Sequence, residues 1–419
     1  MNFYPKNNIY LDHASATPIN KKVLRKMFKI EKCFYSNGSA IHKKGVKTRE
    51  IIEQSRLEIA NQINAHSDEI IFTGSGTESN ALAIFGVVDF FKNNFPQIVP
   101  HIITSEIEHP AVLENIKLLE KKKLIEVSYI PVFPNGVINL KILENSIRGN
   151  TILVSIMYAN NEIGTIQPIE EIAKIIRRYR KEKSIPQGLA LGSLKARPSP
   201  VDFPLFHTDA CQAINYLPMK NIEKLGVDLM TFNSSKIYGP KGIGVLVKKR
   251  NITLEKIYSG GGQEMGLRSG TESVSLIYGL AQALNITCKI KEKEIQRLTK
   301  LRDYGINKIL NLSKKYPFKI YLNGDREKRL PNNINITIPE LSSELLVIEL
   351  SSLGIYVSEK SACKSESSDD SYVIEAIRGE KKRETGSIRI TLGRQTKRKD
   401  LNKLTKGLSK ILSKYKEWK

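Results

Sequence analysis

The sequence predicts an α/β fold, with a large domain around a mostly parallel sheet and a smaller α/β domain. Three observations predict it. Short apolar runs ending in polar residues alternate with helix-periodic stretches over the first 250 residues. A Pro/Gly/Ser-rich stretch at 184–204 interrupts that rhythm as a surface insertion. After about residue 275 a different set of apolar runs begins. The large domain is expected over 21–275, and the small domain over 1–20 together with 276–419.

The elements follow in order. "TREIIEQSRLEIANQI" (48–63) repeats apolar residues three and four apart, as a helix does. "EIIFTG" (69–74) is a short strand ending in a small-residue turn, and "ESNALAIFGVVDFF" continues as a helix. "HIITSEIEH" (101–109), "TILVSIMYAN" (151–160) and "LFHTDACQ" (205–212) read as buried strands with polar ends, and "IEEIAKIIRRYRKEK" as a helix between the last two. "DLMTFNSSKIYGPKGIGVLVKK" (228–249) holds two apolar runs around a tight turn with Lys236 at its centre. In the C-terminal part "LPNNINITIP", "LLVIELSSLGIYVS" and "GSIRITLGR" are expected as strands, and "DLNKLTKGLSKILSKYKEWK" as an amphipathic basic helix. In sheets of this kind ligands sit beyond the carboxyl ends of the strands, so the polar strand ends are where chemistry is expected.

Composition narrows the classes. A chain of 419 residues that is 40% hydrophobic can bury a large core. Its formal charge of +23 attracts anionic partners such as RNA or acidic proteins. Runs such as "KKVLRK", "RRYRKEK" and "EKKRE" read first as solvated faces. Cys33, Cys211, Cys288 and Cys363 are far apart and form no CxxC pair, against a disulfide framework or a resident metal. No apolar run approaches the length of a membrane span, and the start carries no targeting pattern. A reducing, cytoplasmic setting is expected.

Several weak signals converge. "FTGSGTESNALAI" runs a strand through Gly74, Ser75, Gly76 and Thr77 into a helix, whose free N–H groups and positive dipole end suit a phosphate. The plain alternative is a strand-to-helix turn capped by Thr77. His109 in "EHP", Asp209 and Gln212 in "HTDACQ", and Asn160, Asn161 and Glu162 in "NNEIG" stand at other strand ends. A lysine between two buried runs is desolvated, which lowers its pKa and makes its amine a nucleophile. An amine nucleophile beside a phosphate cradle, with a carboxylate to hold a pyridinium N–H, is equipment for pyridoxal 5′-phosphate.

These motifs, with "YLDHASATP", "SNGSAIHKKG", "EHPAVLE", "VSIMYANNEIGTIQPI", "FHTDACQA", "GGGQEMGLRSGTESV", "SACKS" and "GSIRITLGR", resemble the cysteine desulfurases of the class V aminotransferase superfamily, fold-type I pyridoxal-phosphate enzymes, over nearly the whole chain. The resemblance implies Lys236 as the lysine that holds the cofactor. It places Gly76, Thr77, Asn233 and Ser235 around the phosphate, with Thr271 reaching in from the second subunit of a homodimer. It places His109, Asn161, Asp209 and Gln212 around the ring, with His109 also a candidate for proton transfer, and Arg389 with Asn161 on the substrate. It assigns sulfur transfer to Cys363, whose polar, Ser-rich surroundings argue against a buried role and look like the long-loop subgroup. L-Cysteine would become L-alanine, with the sulfur passing as a persulfide to an iron–sulfur scaffold or to tRNA thiolation. Cys363 would meet an iron–sulfur cluster only in passing.

The other three cysteines are read as apolar or structural, with Cys211 packed behind Asp209. There are departures from the family pattern. Ser235 stands where a His usually precedes the lysine, Asn233-Ser234 where Ser-Gly is common, and His13 where Tyr is common. The chain ends near "KYKEWK", without the tail that some members use to dock a scaffold. The rival readings are a selenocysteine lyase or small-substrate aminotransferase on the same scaffold, and a silent basic homologue with weak RNA contacts.

Overall fold

Five-residue segments of β-branched and other apolar residues, such as Thr151–Ser155 and Leu229–Asn233, are too short for stable helices and too apolar for one wet face. They assemble into a buried seven-stranded sheet in the computed structural model, which describes residues 8–183, 203–218, 222–359, 371–379 and 386–418. In chain order the elements are β1 (Ile9–Tyr10), α1 (Lys21–Cys33), α2 (Lys43–Ile63), β2 (Ile70–Thr73), α3 (Gly76–Asn94), β3 (His101–Ser105), α4 (Pro110–Lys121) and β4 (Glu126–Ile130). The order continues with α5 (Leu140–Asn145), β5 (Thr151–Ser155), α6 (Ile169–Lys183), β6 (Leu205–Asp209), α7 (Ile222–Leu225), β7 (Leu229–Asn233) and β8 (Gly244–Lys248). The long α8 (Val274–Leu310) then leads to β9 (Tyr321–Leu322), β10 (Asn333–Ile338), α9 (Ser343–Ser352), β11 (Ile355–Tyr356), α10 (Tyr372–Arg378), β12 (Gly386–Thr391) and α11 (Arg398–Lys414).

Seven strands form one sheet in the order β2-β8-β7-β6-β5-β3-β4. β7, β6, β5, β3 and β4 run parallel, while β8 and β2 close one edge antiparallel. That makes the α/β class with a mostly parallel sheet the observed architecture. The free edge of β2 is covered in an unusual way. Arg56 of α2 donates to the Ile70 carbonyl at 2.6 Å, and Glu264 accepts the Phe72 N–H at 2.7 Å. The two side chains also pair bidentately at 2.8 Å, so one buried ion pair serves an edge that would otherwise be open to another strand.

The C-terminal layer is a three-stranded sheet, β12-β10-β9, covered by α9 and α8, with α11 packed on those two helices. The expected basic tail helix is α11. It buries Leu401, Leu404, Leu408, Ile411 and Leu412 and turns its lysines outward. One expectation fails. Most of "LLVIELSSLGIYVS" is not a strand but α9, with only Ile355–Tyr356 extended. A short apolar run is ambiguous by periodicity. The Ser342 hydroxyl, accepting the Leu345 N–H at 3.2 Å, decides it by capping a helix.

The N-terminal segment stitches the two layers together. β1 pairs with β11, and the Thr391 N–H donates to the Leu11 carbonyl at 2.7 Å. Further along, the Thr17 N–H donates to the Ser235 carbonyl at 2.9 Å and the Asn20 N–H to the Tyr238 carbonyl at 2.8 Å. At the other side Ser358 and Arg389 exchange backbone hydrogen bonds of 3.1 and 2.7 Å.

Candidate active site

The parallel strands all deliver their carboxyl ends to one side of the sheet, and a cavity of about 200 Å³ opens there. β2 runs into the Gly74-Ser75 turn, where the Ser75 hydroxyl caps α3 by accepting the Glu78 N–H at 3.1 Å. The first N–H groups of a helix have no intrahelical partner. Ser75, Gly76 and Thr77 line the cavity with that end of α3. A Cβ on Gly76 would stand 2.8 Å from the Cys211 Sγ and 3.0 Å from the Asn233 Nδ2, so only glycine fits this close approach.

Opposite the turn, β6 ends at Asp209, whose side chain is held on both oxygens. Oδ1 accepts the Cys211 N–H at 2.9 Å and Oδ2 accepts from the Asn80 Nδ2 at 2.7 Å. The carboxylate plane is therefore set before any ligand arrives. Just beyond β3, His109 caps α4, its Nδ1 accepting the Ala111 N–H at 3.0 Å. Burial pushes its pKa down, with Lys236 and Arg389 adding to that and Asp209 opposing it. The ring is neutral at pH 7, with its proton on Nε2. After β7 the chain turns through Ser234, Ser235 and Lys236, and the Lys236 ammonium donates to the Ser15 carbonyl. Gln212 donates to the Ala14 carbonyl at 3.0 Å.

Arg389 reaches the cavity from β12 and is 2% exposed. It donates to Asp12 Oδ1 at 2.9 Å, to the Ser15 hydroxyl at 2.7 Å and to the Asn161 carbonyl at 3.2 Å. Its Nε, the Asn161 Oδ1 and the Asn80 Oδ1 are buried without a hydrogen-bond partner among the described residues. Orphaned polar atoms around a cavity are what a ligand with polar groups would satisfy. The glycine cradle, the fixed carboxylate and the lysine amine fit pyridoxal phosphate in donor set.

The structure brings Gly76, Thr77, His109, Asn161, Asp209, Gln212, Asn233, Lys236 and Arg389 to one cavity. Ser235 stands just outside the lining, its hydroxyl donating to the Asn233 Oδ1 at 3.2 Å. Thr271 is exposed on the stretch before α8 and does not reach the cavity of its own chain. Cys363 lies outside the described residues, as does most of the 184–204 insertion. One cysteine expectation changes. Cys33 is exposed at the end of α1, because the helix turns that position to solvent. Cys211 lies beside Asp209 in the cavity wall against Gly76, where burial and then the Asp209 charge push its thiol well up. Ser15, Asn80 and Met157 also line the cavity and were not singled out. Ser15 lies in the quoted "LDHASATP", but nothing in its residue type marks it.

Comparison with known proteins identifies the family. The class-V aminotransferase family matches residues 9–182 and 204–404, leaving out the stretch that breaks the sequence rhythm. The cysteine desulfurase IscS of Dictyoglomus turgidum is 41% identical over 421 residues, covering 99% of this chain and 98% of that protein. IscS 1 of Archaeoglobus fulgidus is 37% identical over 403 residues, with 96% of each chain covered. Among solved structures, a NifS-like protein superposes with a TM-score of 0.84 at 31% identity, covering 97% of this chain and all of that one. SspA, solved in complex with cysteine, superposes with a TM-score of 0.73 at 30% identity, covering 92% and 99%.

Proposed function

The chain belongs to the class-V aminotransferase family as a cysteine desulfurase, and from that premise we propose how its own side chains divide the work. Pyridoxal 5′-phosphate, on which the family depends, supplies an electron sink for the pair left at the substrate Cα. Gly76, Thr77, Asn233 and Ser235 would hold its phosphate, Asp209 and Gln212 its ring atoms, His109 its face, and Lys236 its carbonyl carbon.

L-Cysteine enters with its carboxylate on the Arg389 guanidinium, while Asn161 takes a second polar group. The Lys236 amine removes the Cα proton and later returns a proton to carbon. Neutral His109 handles the proton of the substrate thiol. The Cys363 thiolate then attacks the substrate sulfur. A sulfur–sulfur bond forms and the substrate carbon–sulfur bond breaks. The carbon keeps the electron pair and is protonated, so L-alanine leaves and Cys363 carries a persulfide.

The observation that carries this reading is the backbone pairing of Ser358 with cavity-lining Arg389. Cys363 is five positions beyond Ser358. Five residues of chain reach at most roughly 17 Å, a tether long enough for the thiol to meet a substrate held on Arg389. On the far side, Ser371 donates to Glu162 and Tyr372 to the Glu108 carbonyl, both at 2.5 Å, beside Asn161 and His109. The persulfide would then serve iron–sulfur cluster assembly, tRNA thiolation or both. The working unit would be a cytoplasmic homodimer in which Thr271 completes the partner's phosphate site. Basic faces would add weak, salt-sensitive RNA contacts.

The test is L-cysteine added to the purified protein, with alanine and sulfide measured and peptides weighed. One extra sulfur is expected on the Cys363 peptide and none on those with Cys33, Cys211 or Cys288. Cys363→Ser should keep the cofactor and release almost no sulfide. Continued alanine formation by that variant at the parent rate would favour a transaminase-like reaction instead. A monomeric mass with full activity would remove the shared-site part.

A further inference from the structure

Glu78 presents an electrostatic problem. It is the third residue of α3, the helix whose N-terminal turn lines the cavity. A carboxylate in a first turn normally stabilises the helix by offsetting its positive end. Here the same positive end is needed for a phosphate, and a free carboxylate would compete with it.

The structure resolves the conflict locally. Glu78 Oε2 is turned back onto the Gly74 N–H at 2.6 Å. Its Oε1 accepts from the Tyr258 hydroxyl at 2.6 Å and from the Arg268 Nε at 2.9 Å. A Cβ on Gly74 would stand 3.6 Å from the Arg268 Nη2, so the guanidinium sits at the turn itself. Burial raises the Glu78 pKa, but the bonds from Arg268, Tyr258 and Gly74 outweigh it and keep the group ionised. Its charge is therefore present and has to be cancelled.

We propose that Arg268 is a positioning residue for the cofactor site: by neutralising Glu78 it keeps the Ser75–Thr77 turn available to a phosphate dianion. The proposal rests on the reading of that turn as the phosphate site, and it needs no second subunit. Arg268 stands in "GLRSGTES", over a hundred residues away from the turn it guards.

The test uses apo-protein titrated with pyridoxal phosphate and with pyridoxal, which has no phosphate. Arg268→Met is expected to weaken pyridoxal phosphate about tenfold, the scale of a charge at a partly buried helix end, and to leave pyridoxal within about twofold. Adding Glu78→Gln to Arg268→Met is expected to restore most of the affinity, which no loss of packing would allow. Glu78→Gln alone should bind pyridoxal phosphate at least as tightly as the parent, and this arm stands even if Arg268→Met folds poorly. Equal loss for both ligands, no loss for either, or no rescue in the double variant would overturn the proposal. A parent protein that fails to prefer pyridoxal phosphate over pyridoxal would instead overturn the phosphate reading of the turn.

Discussion

Alanine at position 76 tests the tightest contact in the site. The added Cβ would stand 2.8 Å from the Cys211 Sγ and 3.0 Å from the Asn233 Nδ2, with Asn233 Cβ at 3.6 Å. None of these is the loose end of a long side chain. Cys211 is tied by its N–H to Asp209 Oδ1 at 2.9 Å, and Asn233 is joined to Ser235. Overpacking of this kind costs about 1–3 kcal/mol. Alanine in place of a helical glycine returns roughly 0.5–1 kcal/mol. The net loss should fall on the cofactor, because both displaced groups line the cavity proposed for it. At 1.4 kcal/mol per decade, a loss of about 1–2 kcal/mol weakens pyridoxal phosphate roughly 5- to 30-fold. The worst contact is with sulfur, so Cys211→Ala should relieve it. The assay is a double-mutant cycle over Gly76→Ala and Cys211→Ala, reading the cofactor dissociation constant by absorbance and the melting temperature of each apo-protein. A coupling of at least about 1 kcal/mol is expected. Strict additivity, or a Gly76→Ala protein indistinguishable from the parent, would refute the contact argument.

Three further outcomes are expected. Arg389→Met removes the one guanidinium held by Asp12, Ser15 and Asn161 at the cavity, and kcat/KM for L-cysteine should fall by about 2–3 kcal/mol, roughly 30- to 150-fold, with cofactor absorbance kept; an unchanged KM would remove it from the substrate carboxylate. Lys236→Ala should lose both turnover and the near-visible band of the bound cofactor, and alanine release at the parent rate would reassign the lysine. Burial lifts the Glu108 carboxyl to about 8 in the fold, against 4.5 for the free group, so between those values the folded protein holds a proton that the unfolded chain does not. Rising pH then favours unfolding by up to about 1.4 kcal/mol per unit, and Glu108→Gln, whose amide oxygen can still accept from Ser105 and Met157, should flatten that slope between pH 5 and 8. Parallel stability–pH curves for parent and variant would contradict this.

Much of this was legible in the residues. The strand ends carrying His109, Asn161, Asp209 and Lys236 could be read because buried strands are short apolar runs and their polar punctuation stands out. The roles of Ser15, Asn80 and Arg268 were not. Each works through a partner between 129 and 374 positions away, namely Arg389, Asp209 and Glu78, and local pattern carries no trace of such pairings. The stretch "LLVIELSSLGIYVS" reads as a strand because apolar residues also stand on the outer face of α9, where Ile348 is exposed, and this hides the helical period that buried Leu346 and Leu350 follow.

The stitching of β12 to its neighbours has a consequence for motion. Arg389 shares backbone bonds with Ser358, and Thr391 with Leu11, so the proposed substrate anchor, the start of the stretch leading to Cys363 and the N-terminal strand form one ladder. Lys236 belongs to the other layer, and among its links to the N-terminal segment are the Thr17–Ser235 backbone bond and its own ammonium on the Ser15 carbonyl. If the C-terminal layer rocks against the seven-stranded sheet, the group that grips the substrate and the tether of its attacker travel in step, and only their distance to the lysine changes. Sampling of the reactive geometry would then depend on a single relative coordinate rather than on two independent ones, with the segment from Asp12 to Asn20 acting as its spring.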